Sequence, residues 1–307
     1  MDVSVVIPLF NEEDSLAELC QRVVGELEKL NKKHEIVFID DGSTDGSFAA
    51  LMQLKERYPQ IRIVRFRRNF GKSAALSEGF KRAQGEVVIT MDADLQDDPA
   101  EIPALMAKLE DGLDLVSGWK KKRHDPINKT VPSKLFNFAT RLLTGIKIHD
   151  FNCGLKAYRK EVIKALPVYG ELHRYLPVLA HWQGFRVGEI VVTHHPRQFG
   201  RSKFGARRFL NGFFDLITVL FITRYRQKPL HLFGFFGVLS ALAGMAILLY
   251  LTIIWFQGQG IGHRPLLFLG VLLVLVGGQS LSLGLIGEMI TSTRDNSIKY
   301  AIKEEIE

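Results

Sequence analysis

A chain of 307 residues with 47% hydrophobic, 24% charged and 10% aromatic residues is long enough to bury a core and is neither disordered, collagenous nor coiled-coil in composition. The net charge of +7 is uneven: after Gly200 there are 11 basic and 6 acidic residues, in the third of the chain where apolar residues also run together, which points to a membrane surface and away from nucleic acid. The two cysteines, Cys20 and Cys153, exclude a disulfide framework, have no CxxC spacing for zinc, and are expected to be buried thiols in a reducing compartment.

Met1 leads directly into VSVVIPLF, which reads as a strand and not as a signal peptide. Short β-branched runs at residues 3–8, 36–40, 61–66, 87–92 and 113–117 predict strands. Residues 13–30, 45–58, 71–84 and 99–110 have helical spacing, with starts marked by Asp45 and Pro99. The alternation predicts an α/β fold with a doubly wound, mostly parallel sheet. Ligands bind such sheets beyond the carboxyl ends of the strands, so the residues just after each strand are where chemistry is expected.

Residues 230–256 and 266–287 contain no Asp, Glu, Lys or Arg, and each run is long enough to cross a hydrocarbon core of about 30 Å. Two transmembrane helices are expected over 229–291, joined by a glycine-rich loop near 257–265. Arg224, Arg226 and Lys228 precede the first span, Arg294 and Lys299 follow the second, and the loop holds Arg264 alone. The positive-inside rule then places the N-terminal domain (1–204) and the tail (292–307) in the cytoplasm. Between domain and spans, Phe209, Leu210, Phe213, Phe214, Leu216, Ile217 and Leu220, flanked by Arg207 and Arg208, predict an amphipathic interfacial helix over 205–228. Ile298, Ala301 and Ile302 in the tail have helical spacing and suit a second surface helix.

Asp92-Ala93-Asp94-Leu95-Gln96-Asp97-Asp98-Pro99 follows the fourth strand. Two carboxylates one residue apart at a strand end can reach one divalent ion. Hard oxygen ligands without His or Cys favour Mg²⁺ or Mn²⁺, which keep positions open for phosphate oxygens, and a carbonyl oxygen at Gln96 is available as a third ligand. Asp97 and Asp98, directly before Pro99, read as the N-cap and first-turn acids of the next helix. Phe10-Asn11-Glu12-Glu13 follows the first strand and Asp40-Asp41-Gly42-Ser43-Thr44-Asp45 the second, and acids there can accept hydrogen bonds from a nucleobase or ribose. Neither GxGxxG nor GxxxxGK[ST] occurs at these places, which disfavours dinucleotide and P-loop binding. Lys72, in Asn69-Phe70-Gly71-Lys72-Ser73, is placed to meet a phosphate or the base.

VVIPLFNEE, DDGSTDGS, NFGKSAALSEG and DADLQDDP, in that order and at these spacings, resemble the family 2 glycosyltransferases of GT-A fold, and most closely the polyprenyl-phosphate group that includes dolichol-phosphate mannose synthase and the bacteroprenol glucosyltransferases. The resemblance continues through residues 150–159 and 197–203. It implies inverting, metal-dependent transfer of a sugar, with UDP-glucose as first expectation, to an undecaprenyl-type phosphate at the cytoplasmic face of the inner membrane. It also implies a nucleotide-sugar site at Pro8, Phe10, Asn11, Glu12, Asp40, Asp41, Lys72, Asp92 and Ala93, a Mg²⁺ or Mn²⁺ on Asp92, Asp94 and Gln96, and Asp94 and Asp150 as the catalytic acids, Asp150 either as base or as an orienting residue. Two clusters of cations lead from the metal acids toward the membrane segments, and the acceptor phosphate is assigned to Lys120, Lys129, Ser133, Lys134, Arg197, Ser202 and Lys203. Lys120 stands where the mannose synthases carry Arg, a point charge in place of a bidentate fork. The expected partners are a nucleotide diphosphate sugar, polyprenyl phosphate and membrane lipids, with a homo-oligomer left open. A processive polysaccharide synthase would add a QxxRW signature, of which Gln183-Gly184-Phe185-Arg186-Val187 is an incomplete echo, and a non-catalytic scaffold would be expected to have lost Asp92 or Asp94.

Overall fold

The computed structural model describes residues 1–121, 127–166, 168–196, 218–219, 221 and 228–293, with the side chains of 127–132, 135 and 292–293 left undescribed. The tail beyond 293 and nearly all of the expected interfacial helix lie outside the described residues.

Seven strands form one sheet in the order β3-β2-β1-β4-β6-β5-β7. They are β1 Val3–Leu9, β2 His34–Asp40, β3 Ile61–Arg65, β4 Val87–Thr90, β5 Leu115–Trp119, β6 Lys156–Arg159 and β7 Val187–Val191. The helices between them are α1 Glu13–Lys29, α2 Ser47–Arg57, α3 Lys72–Arg82, α4 Ile102–Glu110, α5 Ile127–Thr144, α6 Lys160–Ala165 and α7 Leu176–Trp182. The five strands and four helices expected from periodicity all form, with ends shifted by a few residues; the expected helix at 99–110 opens with a 3-10 turn at Pro99–Glu101. Period-two burial sorts β1 between two layers. Val3, Val5, Ile7 and Leu9 join the core built with Leu16, Leu19 and Val23 of α1 and Ile102 and Leu105 of α4. Val6 faces the other way, onto Gly79 of α3.

Strands β1 to β4 are parallel, and β1 is flanked by β2 on one side and β4 on the other. The chain therefore reverses its winding between β1 and β4, which makes the crevice beyond their carboxyl ends the ligand position of a doubly wound sheet. Pairing of β1 with β4 ends at Val6↔Thr90, while pairing with β2 continues to Leu9↔Asp40. Pro8, which cannot donate to a ladder, thus sits beyond the end of the β4 pairing.

The sheet is mixed, and its antiparallel member is β6, inserted between β4 and β5 with Thr90 opposite Lys156. Because β6 runs backwards, its beginning lies at the edge where the neighbouring strands end. The segment before it, Asp150 to Leu155, is thereby delivered to the ligand edge.

The described residues divide into two compact units at Val219/Leu220. The second contains α8, Pro229–Phe256, and α9, Pro265–Thr293, each about 40 Å long at 1.5 Å per residue and each long and apolar enough to cross a membrane. They meet along a seam of small residues: a Cβ on Gly237 would lie 2.9 Å from the Gly277 carbonyl oxygen, and one on Gly244 would lie 2.7 Å from that of Gly270. Close backbone approach of this kind replaces the hydrophobic driving force that lipid removes. Glu288 Oε2 accepts a hydrogen bond from the Leu230 N–H at 3.3 Å, setting an acid at the amino end of α8.

Two outcomes test this architecture. Glu35 on β2 is 2% exposed and accepts hydrogen bonds from Ser4 Oγ (2.6 Å), the Gln84 N–H (2.7 Å) and Arg62 Nη1 (2.9 Å). Burial alone would raise its pKa, but these donors together hold it below the usual carboxylate range. A depressed folded-state pKa contributes stability above the unfolded value of about 4.3 and loses it as pH falls through the folded value. Glu35→Gln should lower Tm at pH 7.5 by about 2–6 °C, measured in detergent, with the difference from wild type shrinking below about pH 4; a constant difference would show that the charge is not what Gln removes. For the second unit, cysteines placed at Gly260 and at Ser297, with Cys20 and Cys153 replaced, should label with impermeant maleimide from opposite sides of the membrane, and labelling of both from one side would contradict two complete spans.

Candidate active site

The loops after β1 and β2 are latched to one another. Asn11, at φ 54°, accepts from the Thr44 N–H at 2.8 Å, its own N–H donates to Ser43 Oγ at 2.9 Å, and the Glu12 N–H donates to Ser47 Oγ at 2.9 Å. Asp40 is fully buried: Oδ1 accepts from the Ser43 N–H at 2.8 Å and Arg65 Nε lies 3.3 Å from Oδ2. Asp41 takes the Phe70 and Gly71 N–H groups on its two oxygens at 2.7 and 2.9 Å. Burial, and then the neighbouring Asp40, raise its pKa despite those two donors. Both acids expected at the nucleotide thus shape the rim first, tying the β2 loop to the turn that starts α3. Beside them an open hollow of about 490 Å³ is lined by Gly42, Ser43, Thr44, Arg65, Phe66 and Arg67. Gly42 has φ +72°, and a Cβ there would lie 2.7 Å from the Arg68 Cα, so the turn requires glycine.

Beyond β4, burial alternates from Met91 to Pro99, with Asp92, Asp94, Gln96 and Asp98 on the partly open side. The chain turns at Leu95, φ 58°, where Asp94 Oδ1 accepts from the Gln96 N–H at 3.2 Å. The backbone carbonyl of Gln96 accepts from the His195 N–H at 2.9 Å, which ties this segment to the residues after β7. Ser15 Oγ donates to the Ala93 carbonyl at 2.7 Å, which fixes this segment to the first turn of α1. Among the described residues no three acidic, His or Cys side chains converge as a closed metal site. Two carboxylates on one open face fit a hard divalent ion whose remaining positions are filled by phosphate oxygens and water.

Asp92 is the electrostatic centre. Lys72 Nζ forms an ion pair with Asp92 Oδ1. Burial would raise the Asp92 pKa, but Lys72, then Lys120 and Lys156, bring it down to about 2. Gly154 lies directly against the carboxylate: a Cβ there would be 2.6 Å from Asp92 Cγ and Oδ2. Thr90 Oγ1 donates to the Gly154 carbonyl at 2.8 Å and holds the two segments together. Lys156, 3% exposed, donates to the Cys153 carbonyl, and burial lowers its pKa. Asp150, 1% exposed, caps its own loop by accepting from the Asn152 N–H at 3.1 Å and is near enough to Lys156 to favour its charged form. Cys20 and Cys153 are the expected buried thiols, both pushed by burial to a pKa of about 12.

One of the two acids before Pro99 caps the helix as expected, and the other, with Lys120, takes a place the sequence did not indicate. Asp98, not Asp97, caps the helix, accepting from the Ala100 N–H at 3.0 Å. Asp97 is 1% exposed and pairs with Lys120 at 2.7 Å, so Lys120, expected at the acceptor phosphate, is bound to an internal carboxylate. Of the other residues assigned to the acceptor, Ser133 and Lys134 stand on α5, partly buried and exposed respectively, and Asn137 of the same helix accepts from the Phe151 N–H at 3.4 Å. The Lys129 side chain and all of Arg197, Ser202 and Lys203 lie outside the described residues. Arg186 of the QGFRV segment pairs with Asp114 at 3.4 Å, and both residues precede the parallel strands β5 and β7, at the edge opposite the ligand crevice. Pro8 is buried in β1 and Phe10 is partly buried beside Asn11.

The family described as Glycosyl transferase family 2 matches residues 4–166. The chain is 40% identical over 314 residues to the dodecaprenyl-phosphate galacturonate synthase of Rhizobium johnstonii, covering 99% of this chain and 93% of that protein. It is 39% identical over 293 residues to the undecaprenyl-phosphate 4-deoxy-4-formamido-L-arabinose transferase of Pseudomonas syringae, covering 94% and 85%. In fold it is similar to the glucosyl-3-phosphoglycerate synthase of Mycobacterium tuberculosis, solved in complex with Mn²⁺, uridine-diphosphate-glucose and glycerol 3-phosphate, at a TM-score of 0.52 and 19% identity over 72% of this chain and 79% of that one. With the sheet order, the acids at its switch point and these likenesses together, the chain belongs to glycosyl transferase family 2 and has a GT-A-like fold.

Proposed function

We propose that the protein transfers a sugar from a nucleotide diphosphate sugar to a polyprenyl phosphate of the undecaprenyl type, with inversion, at the cytoplasmic face of the inner membrane. The observation that carries this is the Asp92 and Asp94 pair at the switch point, ringed by Lys72, Lys120 and Lys156, in a chain that also has two helices able to span a membrane and relatives named for polyprenyl-phosphate substrates. UDP-glucose is the donor expected from the sequence; the sugars in the relatives' names are a uronate and a modified pentose, so donors carrying those belong beside it in any trial.

Asp92, Asp94 and Gln96 would hold Mg²⁺ or Mn²⁺. Such an ion, when bound, neutralises charge developing on the departing diphosphate. The chain's own residues do the rest. Lys72, at the start of α3 beside Asp92, is placed to meet the diphosphate, and the hollow at Gly42–Thr44 with Phe66 accepts the nucleoside end. The nucleophile needs little activation, since a phosphate monoester has a second pKa of about 6 and is largely ionised near neutrality. Asp150, buried and capping its loop, then serves to orient the acceptor side, and a phosphate oxygen attacks the anomeric carbon without a general base while the bond from that carbon to the nucleoside diphosphate breaks. Lys134 on α5, with Lys129, Ser133, Arg197, Ser202 and Lys203, binds the lipid phosphate.

Asp94→Asn should abolish formation of lipid-extractable labelled product from sugar nucleotide and polyprenyl phosphate while Tm stays within about 2 °C of wild type. Chelation by EDTA should do the same to wild type reversibly, and full activity in chelator would end the metal assignment. Lys134→Ala and Arg197→Ala should each lower kcat/KM for polyprenyl phosphate by about one to two decades, as expected for one charge-assisted contact, and leave donor affinity within twofold. Weakened donor binding with an unchanged lipid KM would move these cations to the donor site.

A further inference from the structure

A second polar pair lies next to the lysine ring and joins Ser73, the neighbour of Lys72, to His173, which stands outside the motifs that carry the family resemblance. Ser73, the second residue of α3, is 2% exposed and meets His173 in the 3-10 turn Leu172–Arg174. The His173 backbone N–H donates to Ser73 Oγ at 3.2 Å, and the same oxygen stands 2.8 Å from His173 Nδ1. A hydroxyl that accepts from the backbone N–H can direct its own proton at the ring nitrogen. Nδ1 is then the acceptor, and the neutral imidazole carries its proton on Nε2. Burial, followed by Lys72, Arg174 and Lys156, holds the His173 pKa well below its ordinary value, with Asp92 opposing them weakly, so the ring stays uncharged.

This pairing suits an imidazole that keeps Nε2–H as a neutral donor, among cations that already have partners: Lys72 on Asp92, Lys156 on the Cys153 carbonyl and Arg174 on Glu171 at 2.9 Å. The charged groups suit the diphosphate. What they do not supply is a directional, uncharged donor for the group between the diphosphate and the acceptor. We infer that His173, through Nε2–H, donates a hydrogen bond to an oxygen of the donor's sugar, with Ser73 as the residue that positions it. This rests on the donor assignment above.

The test uses the full-length protein in nanodiscs, with UDP, UDP-glucose and UDP-galacturonate as probes in calorimetric titration. His173→Phe should leave UDP affinity unchanged within twofold and weaken the sugar nucleotide that wild type transfers by about fivefold to tenfold, as for loss of one neutral hydrogen bond. His173→Gln, whose amide nitrogen reaches the Nε2 position, should restore most of that loss, and Ser73→Ala should show part of it; the KM for polyprenyl phosphate should not move in any variant. If Phe at 173 unfolds the domain, His173→Asn, whose amide falls short of Nε2, replaces it. Equal weakening of UDP and sugar nucleotide, no weakening of either, or failure of Gln to restore binding would each overturn the assignment. Absence of any lipid-linked product from wild type would instead overturn the function proposed above, and is read from the product and not from binding.

Discussion

A carboxylate partly withdrawn from water at the edge of a sheet is kept ionised by the cations around it, and the arrangement around Asp92 is organised by that requirement. Lys72 reaches it from the start of α3, Lys120 from the end of β5, and Lys156 from the antiparallel β6. Lys72 pairs with the carboxylate directly, and Lys120 and Lys156 act on it through space. The ring leaves Asp92 ionised far below neutrality, ready for a divalent ion without a proton to displace. Lys120 is in turn balanced by Asp97, so the local charge is a connected set of pairs and no member stands alone. Removing one cation would therefore change the fit of several elements as well as the electrostatics of one acid.

Much of the parallel half was legible because β1 and β2 are buried on both faces and read as apolar runs rich in β-branched residues, each followed by a helix. The acids at the strand ends were visible for the same reason: polar residues directly after such a run have few places to go. The antiparallel β6 was not. Lys156-Ala157-Tyr158-Arg159 is four residues long, begins and ends with a cation, and has no β-branched residue, so nothing local announces a strand; its place between β4 and β5 is decided by pairing. Lys156 illustrates the limit further, since a lysine that is 3% exposed looks in sequence like any solvated lysine. Asp97 and Asp98 were indistinguishable by position, and only the turn at Leu95 decides which faces inward. The link between Ser73 and His173 spans one hundred positions and leaves no periodic trace. The cations at Lys120 and Lys134 were read as one basic cluster, whereas the fold turns one inward to an acid and leaves the other in solvent.

The second unit obeys a different solvent. In α8 and α9 many large side chains point outward while Gly237, Gly244, Gly270 and Gly277 face the neighbouring helix, as suits helices able to cross a membrane, where contact between backbones is what two helices can gain over lipid. The sequence signalled the spans by length and lack of charge; the pairing of Gly237 with Gly277 and of Gly244 with Gly270 required the structure.

The Asp92 carboxylate fills the space in which a side chain at position 154 would begin, and the Thr90 hydroxyl on the Gly154 carbonyl ties that loop to the end of β4. A substitution as small as Gly154→Ala would have to displace either the carboxylate or the loop before β6. The place of an acid at the end of one strand is thus decided partly by a distant position that has no side chain of its own.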